Sequence, residues 1–170
     1  MTALFATIAL AFFPLVVFRA GIGDFVTMRI PNRLVLALLL GYVVLAPLAG
    51  FTPTEMALSA AGAFAIFCLA LGAFACGWMG GGDVKLMAVS ALWLGLPFLP
   101  AFLICTSLFG GVLTLALLVY RSSFLPYAFA GRLGWVQGLH AGETRVPYGV
   151  AIAAAALFVF ASTPWMALLL

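Results

Sequence analysis

The chain contains 170 residues, of which 67% are apolar and 6% are charged, and its formal net charge is +3. Soluble domains typically carry about 25% charged residues, so this composition excludes a water-soluble globular protein, and it also lacks the polar, periodic or cysteine-rich composition of disordered, collagen-like, coiled-coil and disulfide-rich chains. We therefore expect an integral membrane protein in which residues 1–170 form a single transmembrane domain within the lipid bilayer.

Six apolar runs, separated by short Pro, Gly or charged segments, predict an all-α polytopic membrane protein with about six transmembrane helices. These runs cover residues 3–18, 34–50, 56–79, 84–97, 101–120 and 148–169. Pro97 and Pro100 favour a turn between the fourth and fifth runs. The fourth run is too short to cross the full hydrocarbon thickness, so we expect its start, including Asp83, to lie partly below the membrane surface.

The basic residues predict how the chain is oriented in the membrane. If the first helix enters from the outside, the segments 19–33, 80–85 and 121–147 face the cytoplasm and hold every Lys and Arg, while the opposite face keeps only Glu55. Under the positive-inside rule, both termini then lie outside the cytoplasm. The mixed polar and aromatic segment 121–147 is typical of an amphipathic helix at the lipid headgroups, and a substrate gate is the alternative.

The spacing of the basic residues argues against nucleic-acid binding, and the spacing of the cysteines argues against a structural zinc site. The seven Lys and Arg residues stand singly between apolar runs, which is unlike a nucleic-acid-binding surface. Cys68, Cys76 and Cys105 fall in apolar stretches without Cys-x-x-Cys or Cys/His spacing. We expect them to be buried packing residues and expect no structural zinc site.

Few residues can act as acids or bases. Glu55 stands where its charge suits the start of a helix. His140 and Glu143 share a loop without further metal ligands, so we expect no metal there. His140 is the only histidine, which leaves no Ser/His or Cys/His pair. The remaining candidates are Asp24 and Asp83, because carboxylates at membrane level are costly and therefore usually functional.

Both aspartates follow glycines at the predicted cytoplasmic ends of helices. Asp83 follows three glycines at 80–82, which imply an open, hydrated pocket. The residues alone leave two roles open for Asp83, N-capping of the following helix and catalysis. Asp24 follows Gly21 and Gly23, and Asn32 is placed to cap the second helix. If the aspartates lie close together, one retains a proton while the other is ionised, which is the arrangement for activating water.

Two segments resemble the type IV prepilin peptidases, which are GxGD membrane aspartyl proteases. They read Asp24-x-x-x-x-Arg29-Ile30-Pro31-Asn32 and Gly80-Gly81-Gly82-Asp83-Val84-Lys85-Leu86. The small size of the chain and residues 146–152 at the start of the last helix are similar to the short branch that serves Flp/Tad-type pili. The resemblance implies that Asp24 and Asp83 are the catalytic pair. It also implies motif or site-shaping roles for Gly80, Gly82, Lys85, Pro31 and Asn32.

The resemblance further implies an aspartic endopeptidase, without metal or cofactor, that cleaves the leader of an Flp-type prepilin at the cytoplasmic face of the bacterial inner membrane. The prepilin is then its partner. Lys85 lies about 200° around a helix from Asp83, so it could tune Asp83, meet the substrate or simply anchor the topology. Paired Cys-x-x-Cys motifs and the cytoplasmic insertion of longer relatives are missing, so we expect no N-methyltransferase activity.

Two other functions remain open on the sequence. A small transporter could use Asp24 and Asp83 to relay protons or bind an ion, although no series of polar groups leads to the other face. A non-enzymatic subunit of a pilus or secretion assembly could use the same aspartates as helix caps.

Overall fold

The computed structural model describes residues 2–122 and 146–167, and within these ranges the chain is helical, without β-strands. The helices are α1 (Thr2–Thr27), α2 (Asn32–Ala49), α3 (Pro53–Ala75), α4 (Gly81–Leu94), a one-turn 3₁₀ helix (Leu96–Phe98), α5 (Leu99–Ser122), α6 (Tyr148–Phe160) and α7 (Pro164–Ala167). Four segments are long and apolar enough to cross a membrane: α1, α2, α3 and Leu96–Tyr120. The prediction of an all-α membrane protein is confirmed.

The two short helices α4 and α6 form the centre of the bundle. Helix α6 packs against α1, α4 and α5, and α4 packs against α2, α3 and α6. Most of their side chains are buried. Helix α5 instead exposes a row of apolar side chains, each at least 60% accessible: Ile104, Leu108, Val112 and Leu115. In a bilayer, such a face contacts lipid, so the longer helices form a wall around two inner ones.

Short turns join the first five helices, so neighbouring helices along the chain run in opposite directions. The C-terminus of α1 and the N-termini of α4 and α6 consequently meet at one end of the bundle. We call this end, defined by Asp24, Asp83 and Gly149, the aspartate end. We call the opposite end, defined by Phe51, Trp93 and Trp165, the aromatic end.

Stacked rings and indole hydrogen bonds hold the aromatic end together. The ring of Trp93 lies 5.1 Å from both Phe13 and Trp165, measured between ring centroids. Its indole Nε1 donates to the carbonyl of Leu38 at 2.8 Å, and Nε1 of Trp165 donates to the carbonyl of Trp93 at 2.9 Å. These contacts connect α1, α2, α4 and α7, and they leave neither indole N–H unpaired in an apolar core.

The turns at the aromatic end follow the local sequence signals. Helix α2 ends at Gly50, whose φ of 100° is a conformation that favours glycine. The predicted role of Glu55 is confirmed, because it forms a capping box with Thr52 at the start of α3. The predicted turn between the fourth and fifth runs is also confirmed, as Pro97 lies in the 3₁₀ helix that separates α4 from α5.

The predicted end of the first helix is wrong. The apolar run ends at residue 18, yet α1 continues to Thr27, so Asp24 lies within the helix and not in a loop. Gly21 explains the error, since a Cβ there would lie 2.8 Å from Cβ of Ala153 on α6. This glycine permits close helix packing and does not break the helix.

Three other boundary predictions require correction. The last run, predicted as one helix over 148–169, breaks after Phe160, where Thr163 bonds back to the Phe160 carbonyl and Pro164 begins α7. The third and fourth helices begin and end about three residues earlier than their apolar runs. Asn32 does not cap α2, because Pro31 occupies the N-cap position and no side chain caps the helix.

The predicted burial of the cysteines is wrong for Cys68 and Cys76 and holds only in part for Cys105, which packs against the core. Cys68 and Cys76 are exposed, and Cys105 is half-buried. An apolar environment in a membrane protein can be lipid as well as protein core, so apolar neighbours in the sequence do not predict burial. The predicted interfacial helix at 121–147 falls largely on residues outside those that the structure describes.

Candidate active site

Asp24 lies in the last turn of α1, where it is 6% exposed. Its carboxylate oxygen Oδ2 accepts a hydrogen bond of 2.8 Å from the main-chain N–H of Gly149, 125 residues away in sequence. That N–H belongs to the first turn of α6, where the N–H groups have no partner within the helix. The carboxylate therefore takes up an unpaired donor of a different helix and points into the protein.

Asp83 lies in the first turn of α4 and is 8% exposed. Its Oδ2 accepts a hydrogen bond of 3.2 Å from the N–H of Gly80, which is the N-cap residue of the same helix. Asp83 is thus not the N-cap residue that the sequence left open, although its carboxylate pairs with the N–H of that residue. This pairing and catalysis are compatible here, because one carboxylate has several acceptor positions and this bond uses only one of its oxygens.

The two carboxylates belong to separate sequence motifs, on α1 and α4, and both lie at the aspartate end. They are close enough for the charge of Asp24 to act on Asp83, and the Gly149 N–H acts on Asp83 as well. Two buried carboxylates whose charges interact resist being ionised together, so the pair favours a state in which it holds one proton. One group can then accept a proton while the other donates one.

A glycine lies against each carboxylate, and an added Cβ would be tight at Gly80 and would collide at Gly149. A Cβ on Gly80 would lie 3.1 Å from Oδ2 of Asp83, and a Cβ on Gly149 would lie 2.7 Å from Oδ2 of Asp24. Gly82 has a different contact, since its Cβ would lie 3.2 Å from Cβ of Ile30 in the α1–α2 turn. The structure therefore brings Gly80 to the carboxylates and uses Gly82 to pack α4 against that turn.

The other motif residues lie at the same end but do not contact the carboxylates. Lys85 points away from Asp83, and its Nζ donates to Oδ1 of Asn32 at 3.1 Å, which joins α4 to α2. Both side chains are exposed. Pro31 sits at the N-cap of α2. Lys85 and Asn32 connect α4 to α2, whereas Asp24, Asp83 and Gly80 lie together as the candidate site.

Sequence reasoning missed the part played by Gly149. The segment 146–152 was noted only for its resemblance to the family, and no role was predicted for any of its residues. A usable signal was present in the sequence. Pro147 and Gly149 stand at the start of an apolar run, which marks a helix N-terminus with free N–H groups. Among the described residues, no three His, Cys, Asp or Glu side chains cluster as metal ligands.

Comparison with known proteins is consistent with a peptidase. The model of the type IV leader peptidase family matches residues 11–115, a stretch that includes both aspartates and covers more than half of the chain. Neither a curated protein nor a solved structure matches the chain significantly. The matched stretch ends before α6, so Gly149 lies outside it. On the strength of this match, the chain belongs to the type IV leader peptidase family, a family of proteases, and is a membrane protein.

Proposed function

We propose that this protein is an aspartic-type endopeptidase of the bacterial inner membrane, in which Asp24 and Asp83 form the catalytic pair. Its substrate is an Flp-type prepilin, whose leader it removes at the cytoplasmic face during type IV pilus biogenesis. One observation carries the proposal: two buried carboxylates from α1 and α4 lie close enough for their charges to interact. Family membership supports the peptidase class, and the GxGD pattern at Gly80, Gly82 and Asp83 supports the aspartic mechanism.

The reaction uses the two carboxylates as base and acid. The ionised carboxylate takes a proton from water, and the resulting hydroxide attacks the scissile carbonyl carbon while the protonated carboxyl group gives its proton to the carbonyl oxygen. The tetrahedral intermediate then collapses. The leaving amine takes a proton from the first carboxyl group, the second recovers its own, and the starting charge state returns. No covalent acyl-enzyme is formed.

The distribution of charge supports a cytoplasmic site. Arg29, Arg33 and Lys85 belong to the turn or helix starts at the aspartate end, and Arg121 lies in the last turn of α5. Arg132 and Arg145 follow in the sequence between α5 and α6. The aromatic end carries Glu55. Under the positive-inside rule, this asymmetry favours the aspartate end in the cytoplasm, the side on which a short basic leader is held.

The decisive experiment compares cleavage of a co-expressed Flp-type prepilin by the wild type, Asp24→Asn and Asp83→Asn. We expect both variants to lose on the order of 10²–10⁴-fold in cleavage, because each lacks an acid or base. Their membrane levels should stay normal, since an Asn oxygen can still accept the N–H of Gly149 or Gly80. Immunoblots of precursor, product and enzyme provide the measurement.

Glu55→Gln is the matched control, because Glu55 is a carboxylate at the aromatic end and Gln also forms a capping box. This variant should cleave like the wild type. Cleavage by both Asp variants would refute the catalytic pair, whereas the assembly-subunit alternative predicts that not even the wild type cleaves. A wild type that leaves the prepilin uncut would refute the substrate.

A topology experiment tests the orientation separately. A reporter fused within residues 121–147 should read as cytoplasmic, and a reporter at the C-terminus should read as periplasmic. The reverse pattern would place the aspartate end outside the cytoplasm and contradict the proposed site of cleavage.

A further inference from the structure

The two carboxylates accept main-chain hydrogen bonds of different length. The Gly149 amide donates to Asp24 at 2.8 Å, a distance typical of a hydrogen bond to an ionised carboxylate. Asp83 accepts from the Gly80 amide at 3.2 Å, near the outer limit of such bonds, and the Gly149 amide acts on it less than that of Gly80 does. The closer donor also lies at the positive end of the α6 dipole, which favours a negative charge on Asp24.

The site leaves no room for any other residue at position 149. A Cβ there would lie 2.7 Å from Oδ2, 2.9 Å from Cγ and 2.9 Å from Cβ of Asp24. All three distances are shorter than real Cβ contacts, so a side chain would push the carboxylate away from the amide. Gly149 therefore determines both where the Asp24 carboxylate lies and whether it receives its donor.

We propose that Gly149 is a positioning residue, whose amide orients Asp24 and keeps it ionised as the general base, while Asp83 holds the proton and acts as the acid. This inference rests on the proposed function and deepens it by assigning the two roles. Asp24 then takes the proton of the attacking water, and Asp83 protonates the scissile carbonyl oxygen. On collapse, Asp24 gives its proton to the leaving amine and Asp83 recovers one from the intermediate.

Other titratable groups on the helices packed against α1 do not account for this difference. The aspartate end of α4 carries Asp83 and Lys85, that of α2 carries Arg33, and α6 begins with Tyr148. The charge of Asp24 acts on Asp83. Repulsion between two charges is mutual, so it does not by itself decide which carboxylate keeps the proton. Lys85 is bound to a side chain of α2 and points away from the pair.

The test measures the pH dependence of prepilin cleavage by purified wild type and Gly149→Ala in lipid nanodiscs. Loss of an N–H donor to the ionised base should move the acid limb of the profile upward by about one pH unit, which lowers cleavage about tenfold on that side. The alkaline limb, which reports the acid, should move less. An acid limb that stays in place in an otherwise folded Gly149→Ala would overturn the inference.

Gly21→Ala is the matched control for a purely steric disturbance. Its Cβ would collide with Ala153 at 2.8 Å, at the same α1–α6 interface but not at the carboxylate. We expect this variant to lower the amount of folded protein or its overall rate without moving the acid limb. An equal shift of the limb in Gly21→Ala would show that separating the helices is sufficient, and it would also overturn the inference.

A second measurement does not depend on whether Gly149→Ala folds. Infrared spectra of Asp83→Asn and Asp24→Asn, each with the spectrum of the double Asn variant subtracted, isolate the C=O stretch of the one remaining protonated carboxyl group. As the pH is lowered, Asp83 should protonate before Asp24. The opposite order would assign the base to Asp83 and refute the role of Gly149. Failure of the proposed function is distinguishable, because the wild type itself would then leave the prepilin uncut.

Discussion

The two ends of the bundle pair their buried polar groups with the main chain in opposite ways. At the aromatic end, the indole N–H groups of Trp93 and Trp165 donate to main-chain carbonyls. At the aspartate end, the carboxylates of Asp24 and Asp83 accept from main-chain N–H groups. The first arrangement satisfies neutral groups and fills space with rings, whereas the second holds charge and is lined by glycines.

One small membrane protein can thus keep its stabilising aromatic contacts and its buried carboxylates at opposite ends of the same helices. Helix α4 carries both, because Asp83 lies in its first turn and Trp93 in its last. Buried charge destabilises a fold unless it is paired. The stabilising contacts of the aromatic end compensate for the destabilising effect of the buried carboxylates at the other end of the helices.

The largest effect on stability should come from the aromatic end. Trp93→Ala removes a fully buried side chain and the indole hydrogen bond to the Leu38 carbonyl, so we expect it to lower the free energy of unfolding by about 3–5 kcal/mol. Thermal unfolding in detergent measures this loss. Trp78→Ala is the control, because Trp78 is 75% exposed and should cost little. Equal losses in both variants would contradict the stabilising role of the aromatic end.

The second largest effect should be a difference in pH dependence between cleavage, which depends on the aspartate end, and unfolding, which depends on the aromatic end. Cleavage by the wild type should follow a bell-shaped curve, because below its range both carboxylates are protonated and no base remains, and above it both are ionised and no acid remains. Each limb should fall about tenfold per pH unit. The unfolding temperature should change much less over the same range, since indole N–H groups do not titrate. A monotonic rise of cleavage with pH would contradict the shared proton.

The smallest effect should come from the contact between α2 and α4. Asn32→Ala removes the exposed hydrogen bond to Lys85, which is worth about 0.5–1.5 kcal/mol, so cleavage should change by less than about fivefold. Lys85→Met provides the paired measurement and should behave in the same way. A hundredfold loss in Lys85→Met with a small loss in Asn32→Ala would instead indicate that Lys85 meets the substrate.

Much of the fold was predictable because it depends on local composition. The apolar runs predicted the helices, Pro97 predicted the turn before α5, and Glu55 predicted the cap of α3. The alternation of helix direction also predicted that Asp24 and Asp83 share one end of the bundle. These features follow from properties of single segments or from the order of segments along the chain.

Composition and the order of the apolar runs are sufficient to predict an all-α membrane protein with two carboxylates at one end. Three features required the packed helices to be seen: Asp24 lies inside α1, Cys68 and Cys76 are exposed, and the Gly149 amide, 125 residues away in sequence, donates to Asp24. The physical reason is that lipid is as apolar as a protein core, so the helices lack the amphipathic pattern that would show which face is buried. Only packing reveals which helix ends meet, and the site is built from three of them.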